Sequence, residues 1–283
     1  MISPDTPLYV YEIEGNIRDH LGLTPHSFVG IWNEEDISYL FFTEIRDDYI
    51  NKCLSRADCI LRTKHHTLYS EWQDVMPAAG VSIGDLLFVP DDCPSPPCGA
   101  LLLDPSVVFG DGSHPTTVAC LKFMLELIPE IPVKSMLDLG TGTGILSIAA
   151  AALAVQRIVA VDHNALAVQT AVKNVRLNRL SSSVAVQEGD ARRFVGDAYD
   201  LAVANLPFEV LEFMAELDQT ANIPHWVISG ISDSQGLIVE KLFSKKGFYR
   251  KLFRRDYPWV SFVMARASST ANLSGHDDPS HSK

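Results

Sequence analysis

From about residue 101 onward the chain alternates short apolar runs with longer stretches in which apolar residues recur every three or four positions. The short runs predict buried strands over 136–139, 158–161, 184–187, 201–204 and 226–229, closed by an alternating strand over 259–265. The longer stretches predict helices over 118–127, 145–155, 165–177, 209–217 and 235–245. Strands that alternate with helices imply an α/β fold, a parallel Rossmann-like sheet with helices on both faces. The pattern differs before residue 68, where apolar segments at 8–10 and 39–43 sit among acidic residues and a helix is expected over 47–57. That zone reads as a small α+β domain. Between 69 and 99 the chain is punctuated by Pro77, Gly80, Gly84, Pro90, Pro94, Pro96 and Pro97, so it reads as a connector with one strand at 86–89. The expected division is therefore 1–68, 69–99 and 100–267, followed by a polar tail over 268–283 without apolar anchors, expected to be disordered.

Composition narrows the chemistry. The 283 residues are enough for one sizeable α/β domain and a smaller partner, and 47% hydrophobic with 20% charged is ordinary globular composition. A net charge of −12 argues against free nucleic acid as the partner, because phosphate contacts demand a basic face. A basic protein or a small molecule suits that balance better. The five cysteines (Cys53, Cys59, Cys93, Cys98 and Cys120) have no paired metal-ligand spacing, so no metal site is expected and free thiols point to a reducing cytoplasm. The first 20 residues lack a basic region followed by an apolar core, and the apolar run at 145–155 is too short to span a bilayer. Neither a signal peptide nor a membrane partner is expected.

Three segments carry candidate chemistry. The first is Asp138 to Gly144, of sequence DLGTGTG, placed after a strand and before a helix. Gly140, Gly142 and Gly144 allow a tight turn and a close backbone approach to a ligand. Asp162 ends the next strand, near the spacing of a carboxylate that receives ribose hydroxyls. Asp190 ends the strand after that, where an adenine contact fits. A nicotinamide enzyme is the competing reading, but its fingerprint requires a later glycine where this chain has Ile145. The acid before the first glycine would repel a pyrophosphate and suits the cationic amino-acid end of S-adenosyl-L-methionine. A turn with no ligand is the bland alternative.

The second segment is Asn205-Leu-Pro-Phe208, directly after a strand. An Asn amide oxygen accepts hydrogen bonds from an amine, and Phe208 can pack beside it. Against this stands a purely structural role, with Asn205 capping the next helix and Pro207 in its first turn. The third is the polar, glycine-rich stretch from Asp104 to Thr117, which suits a loop closing over a ligand. His114 within it is either a proton acceptor or, before Pro115, an organiser of the backbone.

Together these segments resemble the ribosomal protein L11 methyltransferase family. The resemblance is carried by FGDGSHPTT over 109–117, LDLGTGTGIL over 137–146, VDHNALA over 161–167 and VANL over 203–206, with Glu71-Trp72 in the connector. It covers about 69–265 and does not extend to the N-terminal zone. It implies a class I methyltransferase fold, S-adenosyl-L-methionine as cofactor and transfer of methyl groups to the amino groups of a ribosomal protein. Candidate cofactor residues are then Phe109, Thr116, Thr117, Asp138, Gly140, Thr141, Gly142, Gly144, Asp162, His163, Asp190, Ala191 and Asn205. Candidate catalytic residues are Asn205, Pro207 and Phe208. Pro207-Phe208 departs from the family toward the Asn-Pro-Pro-aromatic motif of enzymes that methylate glutamine or adenine amino groups, although Leu206 breaks that motif. The alternative functions are transfer to a nucleic acid base, a glutamine amide or a small molecule, and a protein that binds the cofactor without turnover.

Overall fold

A computed structural model describes residues 5–34, 36–72, 76–77, 79–104 and 106–266. The polar tail over 268–283 lies outside the described residues. Four strands, β1 (Pro7–Glu14), β2 (Phe28–Glu34), β3 (Ile37–Phe42) and β4 (Ile60–Leu68), form an antiparallel sheet in the order β2-β3-β1-β4, with helix α1 (Asp47–Leu54) between β3 and β4. Strand alternation gives this sheet two apolar faces. Tyr11, Ile13, Leu40 and Phe42 pack with Ile50 and Cys53 of α1, whereas Leu8, Val10 and Phe41 face the rest of the molecule. The predicted helix over 47–57 is real but stops at Leu54, and β2 and β4 are additions to the sequence reading.

A short helix, α2 (Tyr69–Trp72), leads into β5 (Val81–Ile83), β6 (Leu86–Pro90) and β7 (Leu101–Leu103), which make a small mixed sheet in the order β5-β6-β7. The segment read as connector is thus partly folded. Its buried residues Ile83, Leu86 and Phe88, with Leu103 of β7, join the main core.

The rest of the chain builds a seven-stranded sheet. In chain order its elements are α3 (Pro115–Leu127), β8 (Ser135–Leu139), α4 (Ile145–Ala152), β9 (Arg157–Asp162), α5 (Ala165–Leu177), β10 (Val184–Glu188), β11 (Leu201–Asn205), α6 (Phe208–Glu216), β12 (His225–Ser232), α7 (Asp233–Lys245), β13 (Phe248–Asp256) and β14 (Trp259–Arg266). The strand order is β10-β9-β8-β11-β12-β14-β13, all parallel except β14, which runs antiparallel to both neighbours. Every residue of β8 is buried, as a central parallel strand covered on both faces requires. Met136, Ile158, Val203 and Val227 face α3 and α4, while Leu137, Leu139, Ala204 and Ile228 face α6 and α7. The α/β class and Rossmann-like sheet expected from the sequence are what is found.

This order places a reversal between β8 and β11. One chain direction leaves β8 toward β9 and β10, and the other continues through β11 and β12. Ligands of open α/β sheets bind in the crevice at the carboxyl ends of strands flanking such a reversal. The candidate residues lie at that edge.

Candidate active site

The glycine turn is shaped by left-handed backbone at three glycines and by close approach of its neighbours. Gly140 has φ +74°, and a Cβ there would lie 2.4 Å from Leu206 Cδ2. Gly142 has φ +54°, and a Cβ would fall 2.5 Å from the Phe109 carbonyl oxygen. The turn is therefore pressed between the segment after β11 and the loop over 104–114. The N–H groups of Gly140 and Thr141 both donate to the Val161 carbonyl, at 2.8 and 2.9 Å, which ties the turn to the end of β9. Gly144, with φ +86°, opens α4 and lets it approach Ala171 of α5.

The acids differ sharply in setting. The Asp162 carboxylate accepts from Gly142 N at 3.0 Å through one oxygen and from Asn164 N at 2.9 Å through the other. His163 beside it is open to solvent, with its side chain 73% exposed. Asp138 is fully buried. Its Oδ2 accepts from the hydroxyls of Thr141 and Ser147, each at 2.7 Å, and its Oδ1 has no partner among the described residues. Burial pushes its carboxyl up to about 6 against the pull of those two hydroxyls. Asp190 follows β10, where Gly189 N donates to the Asp162 carbonyl. Its carboxylate accepts from Arg192, which holds its pKa below the usual range, and Ala191 is buried behind it.

Asn205 ends β11, and its Nδ2 donates to Thr116 Oγ1 at 3.1 Å. Thr116 Oγ1 also meets His114 Nδ1 at 2.8 Å. His114 is the N-cap of α3 and accepts from Thr116 N, the backbone-organising role that the sequence left open. The helix after Asn205 has Pro207 in its N-cap position, with no side-chain cap. Asn205 thus does not cap α6. Its amide nitrogen is held by Thr116, and its oxygen faces away from that bond. Gly230, with φ +89°, makes room here, since a Cβ would come within 3.0 Å of Asn205 Oδ1 and 2.7 Å of the Leu206 carbonyl oxygen. Pro207 is exposed, and Phe208 is half-buried against the core beneath α6. Thr117 is buried and its Oγ1 has no partner among the described residues. Phe109 lies 45% exposed with its ring against His114.

Four residues escaped the sequence reading. Thr143 N donates to the Phe109 carbonyl and its hydroxyl to the Gly110 carbonyl at 2.6 Å, latching the 104–114 loop onto the glycine turn. Asn174 is wholly buried in α5; its Nδ2 donates to the carbonyls of Asp104 and Thr143, and its Oδ1 accepts from Asp104 N. Asn178, one turn on, binds the N–H and carbonyl of Leu102 in the same way. A pair of Asn at positions i and i+4 on one helix face is the local signal. Gly230 is the fourth, and a glycine inside a strand signals close backbone approach.

Among the described residues there is no cluster of His, Cys, Asp and Glu suited to a metal. All five cysteines are unpaired. No helix of the described residues is long and apolar enough to cross a membrane.

Comparison with known proteins agrees with this geometry. The ribosomal protein L11 methyltransferase of Heliobacterium modesticaldum is 34% identical over 171 residues, 60% of this chain and 54% of its own length. That of Exiguobacterium sibiricum is 32% identical over 175 residues, 61% of this chain and 55% of its own. The chain spans about half the length of these curated relatives. The crystal structure of ribosomal protein L11 methylase from Lactobacillus delbrueckii subsp. bulgaricus matches with a TM-score of 0.59 at 26% identity, covering 66% of this chain and 98% of that one. Residues 49–267 match the family model described as ribosomal protein L11 methyltransferase (PrmA), and on that match the chain belongs to this family.

Proposed function

We propose that the protein is an S-adenosyl-L-methionine-dependent methyltransferase acting on amino groups of a protein, and that its acceptor is a ribosomal protein. The observation that carries the reading is the juxtaposition at the sheet reversal. A glycine turn closed to side chains is bonded to the Asp162 carboxylate, and beside it stands an Asn whose amide nitrogen is already engaged. The residues fit the cofactor. Asp162 suits ribose hydroxyls, and the orphaned atoms Asp138 Oδ1 and Thr117 Oγ1 are buried polar groups that a polar ligand would satisfy. Gly140, Thr141, Gly142, Thr116, His163, Asp190 and Ala191 complete the set that would hold it.

When bound, S-adenosyl-L-methionine supplies a methyl group already activated on a sulfonium. The protein's task is then to position the acceptor and keep water out. A lysine amine, with an ordinary pKa of about 10.4, must shed its proton first. Desolvation under the 104–114 loop lowers that pKa, and the Asn205 oxygen accepts an N–H of the neutral amine and aims its lone pair. Thr116 keeps the Asn205 amide from turning over. The 1–68 region is assigned to acceptor recognition, the cytoplasm is the place of action, and residues 100–267 carry the transfer.

Calorimetric titration with S-adenosyl-L-methionine and transfer of a labelled methyl group to isolated ribosomal proteins, ribosomal RNA and free amino acids test this together. Saturable binding, weakened roughly 10- to 100-fold in Asp162→Ala, and label in the protein fraction are expected. Asn205→Ala should depress turnover about 100-fold while leaving cofactor affinity within about twofold. Label in the RNA or small-molecule fraction would move the acceptor to that class. Absence of binding in folded protein would sink the methyltransferase reading.

A further inference from the structure

Three segments around the candidate cofactor site project beyond the sheet: the 104–114 loop, the turn that follows β9 at Asp162, and the turn that follows β10 at Gly189. The N-terminal domain packs on the first and reaches the element beside each of the other two, through β2 at the start of α5 and through Arg18, in the connection between β1 and β2, at the end of β10. Val107 and Val108 of the first are buried with Leu8, Val10 and Phe41 of the sheet. Tyr69, which follows β4, donates its hydroxyl to the Ser106 carbonyl. At the second, Gly30 of β2 lies against Leu166, the second residue of α5, so closely that a Cβ on Gly30 would fall 2.4 Å from Leu166 Cδ1. At the third, the Arg18 guanidinium donates to both carboxylate oxygens of Glu188, at 2.6 and 3.1 Å. Glu188 is the last residue of β10, two before Asp190.

An independent recognition module tethered by a linker would not share a buried apolar cluster with the loops of another domain's site. Loops that must be ordered for binding cost affinity unless something orders them beforehand. The glycine turn holds the inner side of the first through Thr143 and of the second through Gly142, and the third is tied to the second by Gly189 N. The N-terminal domain adds Val107 and Val108 to its own buried cluster and braces α5 and β10 next to the other two turns.

We propose that the N-terminal sheet is a structural part of the cofactor site, holding these three segments in their binding arrangement. Arg18 acts through Glu188 as a positioning residue for the turn that bears Asp190. The proposal rests on the S-adenosyl-L-methionine reading for its ligand. It adds that acceptor binding on this sheet and cofactor binding at the crevice are linked, each changing the other's affinity by the same factor.

The test compares Arg18→Glu, Glu188→Arg and the exchanged pair with the unaltered protein. One readout is the calorimetric Kd for S-adenosyl-L-methionine; the other is amide hydrogen exchange at 104–114 and 189–191 without ligand. Each single reversal should raise Kd about three- to fivefold, the scale of a surface ion pair with good geometry, and speed exchange at 189–191. The exchanged pair should restore both, which a general loss of stability would not predict. Gly30→Ala, forcing Leu166 to move, should weaken binding and speed exchange at the start of α5 while Arg18–Glu188 stays intact. Wild-type affinity and exchange in Arg18→Glu, or failure of the exchanged pair to restore them, would overturn the proposal. If the unaltered protein does not bind S-adenosyl-L-methionine, the functional reading fails, and the exchange measurements alone still decide whether the N-terminal sheet orders these turns.

Discussion

Asp138 is fully buried, and its burial has a consequence for pH. The folded protein holds this carboxyl near 6, whereas a solvated one titrates near 3.8. Raised in the folded state, the group contributes stability that is fully present below about pH 4 and lost as pH rises through about 6. The melting temperature of the wild type relative to Asp138→Asn should therefore fall between pH 4 and 6.5. On the proposed S-adenosyl-L-methionine reading, an ionised Asp138 would attract the ligand's cationic end, so affinity should strengthen from pH 5 to 7 in the wild type and stay flatter in Asp138→Asn. Calorimetry at three pH values checks this, and equal pH profiles would remove Asp138 from the binding set. At this scale the sequence was most legible where a residue's own backbone demands show. The glycines with positive φ and the acid at a strand end are examples. Asn205 could be read as a site residue or as a cap; Pro207 takes the N-cap position of α6, and the Asn205 bond to Thr116, 89 positions away, could not be seen along the chain. Asn174 and Gly230 carried only weak local signals, and their partners, set by tertiary approach, could not be named from the sequence.

Elements follow a similar rule. The central strands β8, β9 and β11 are buried on both faces and read plainly as apolar runs. Strand β13 did not, because it is an edge strand whose outer face is polar. Arg250, Lys251, Arg254 and Arg255 pair with Glu240, Glu130, Glu126 and Asp233, so its basic run joins the strand to acids of α7 and of α3 and the turn after it. Strand β4 was missed likewise, with Arg62, Lys64 and His65 paired to acids of β1 and α1. Helix α5 does more than cover the sheet, because Asn174 and Asn178 bond the β7 backbone and the loop after it. Asn174→Ala would strand the buried carbonyls of Asp104 and Thr143, and a loss of about 3 kcal/mol in urea unfolding is expected. Asn178→Ala should cost less, as it is half-buried and water can replace its bonds. Cofactor affinity should fall in the first variant and hold in the second, since only Asn174 reaches the glycine turn.

For the whole molecule, the α/β class and the crevice at the sheet reversal were accessible from sequence because the order of strands and helices nearly dictates them. The seating of the N-terminal sheet was not, as it depends on contacts such as Arg18 to Glu188, 170 positions apart. Net charge is the whole-molecule property with a direct bearing on the acceptor. At −12, the protein repels free polyanions at long range and attracts basic proteins, and this attraction is screened within about 8 Å at physiological ionic strength. Long-range attraction acts on encounter more than on the bound state. Raising NaCl from about 50 to 300 mM should therefore lower kcat/KM for a basic protein acceptor about three- to tenfold, leaving kcat and the cofactor Kd within about twofold. The separation matters. If kcat fell in parallel, salt would be acting on the chemistry or on the folded state. If kcat/KM were flat, acceptor capture would depend on short-range fit alone, and the acidic surface would serve solubility instead of recognition.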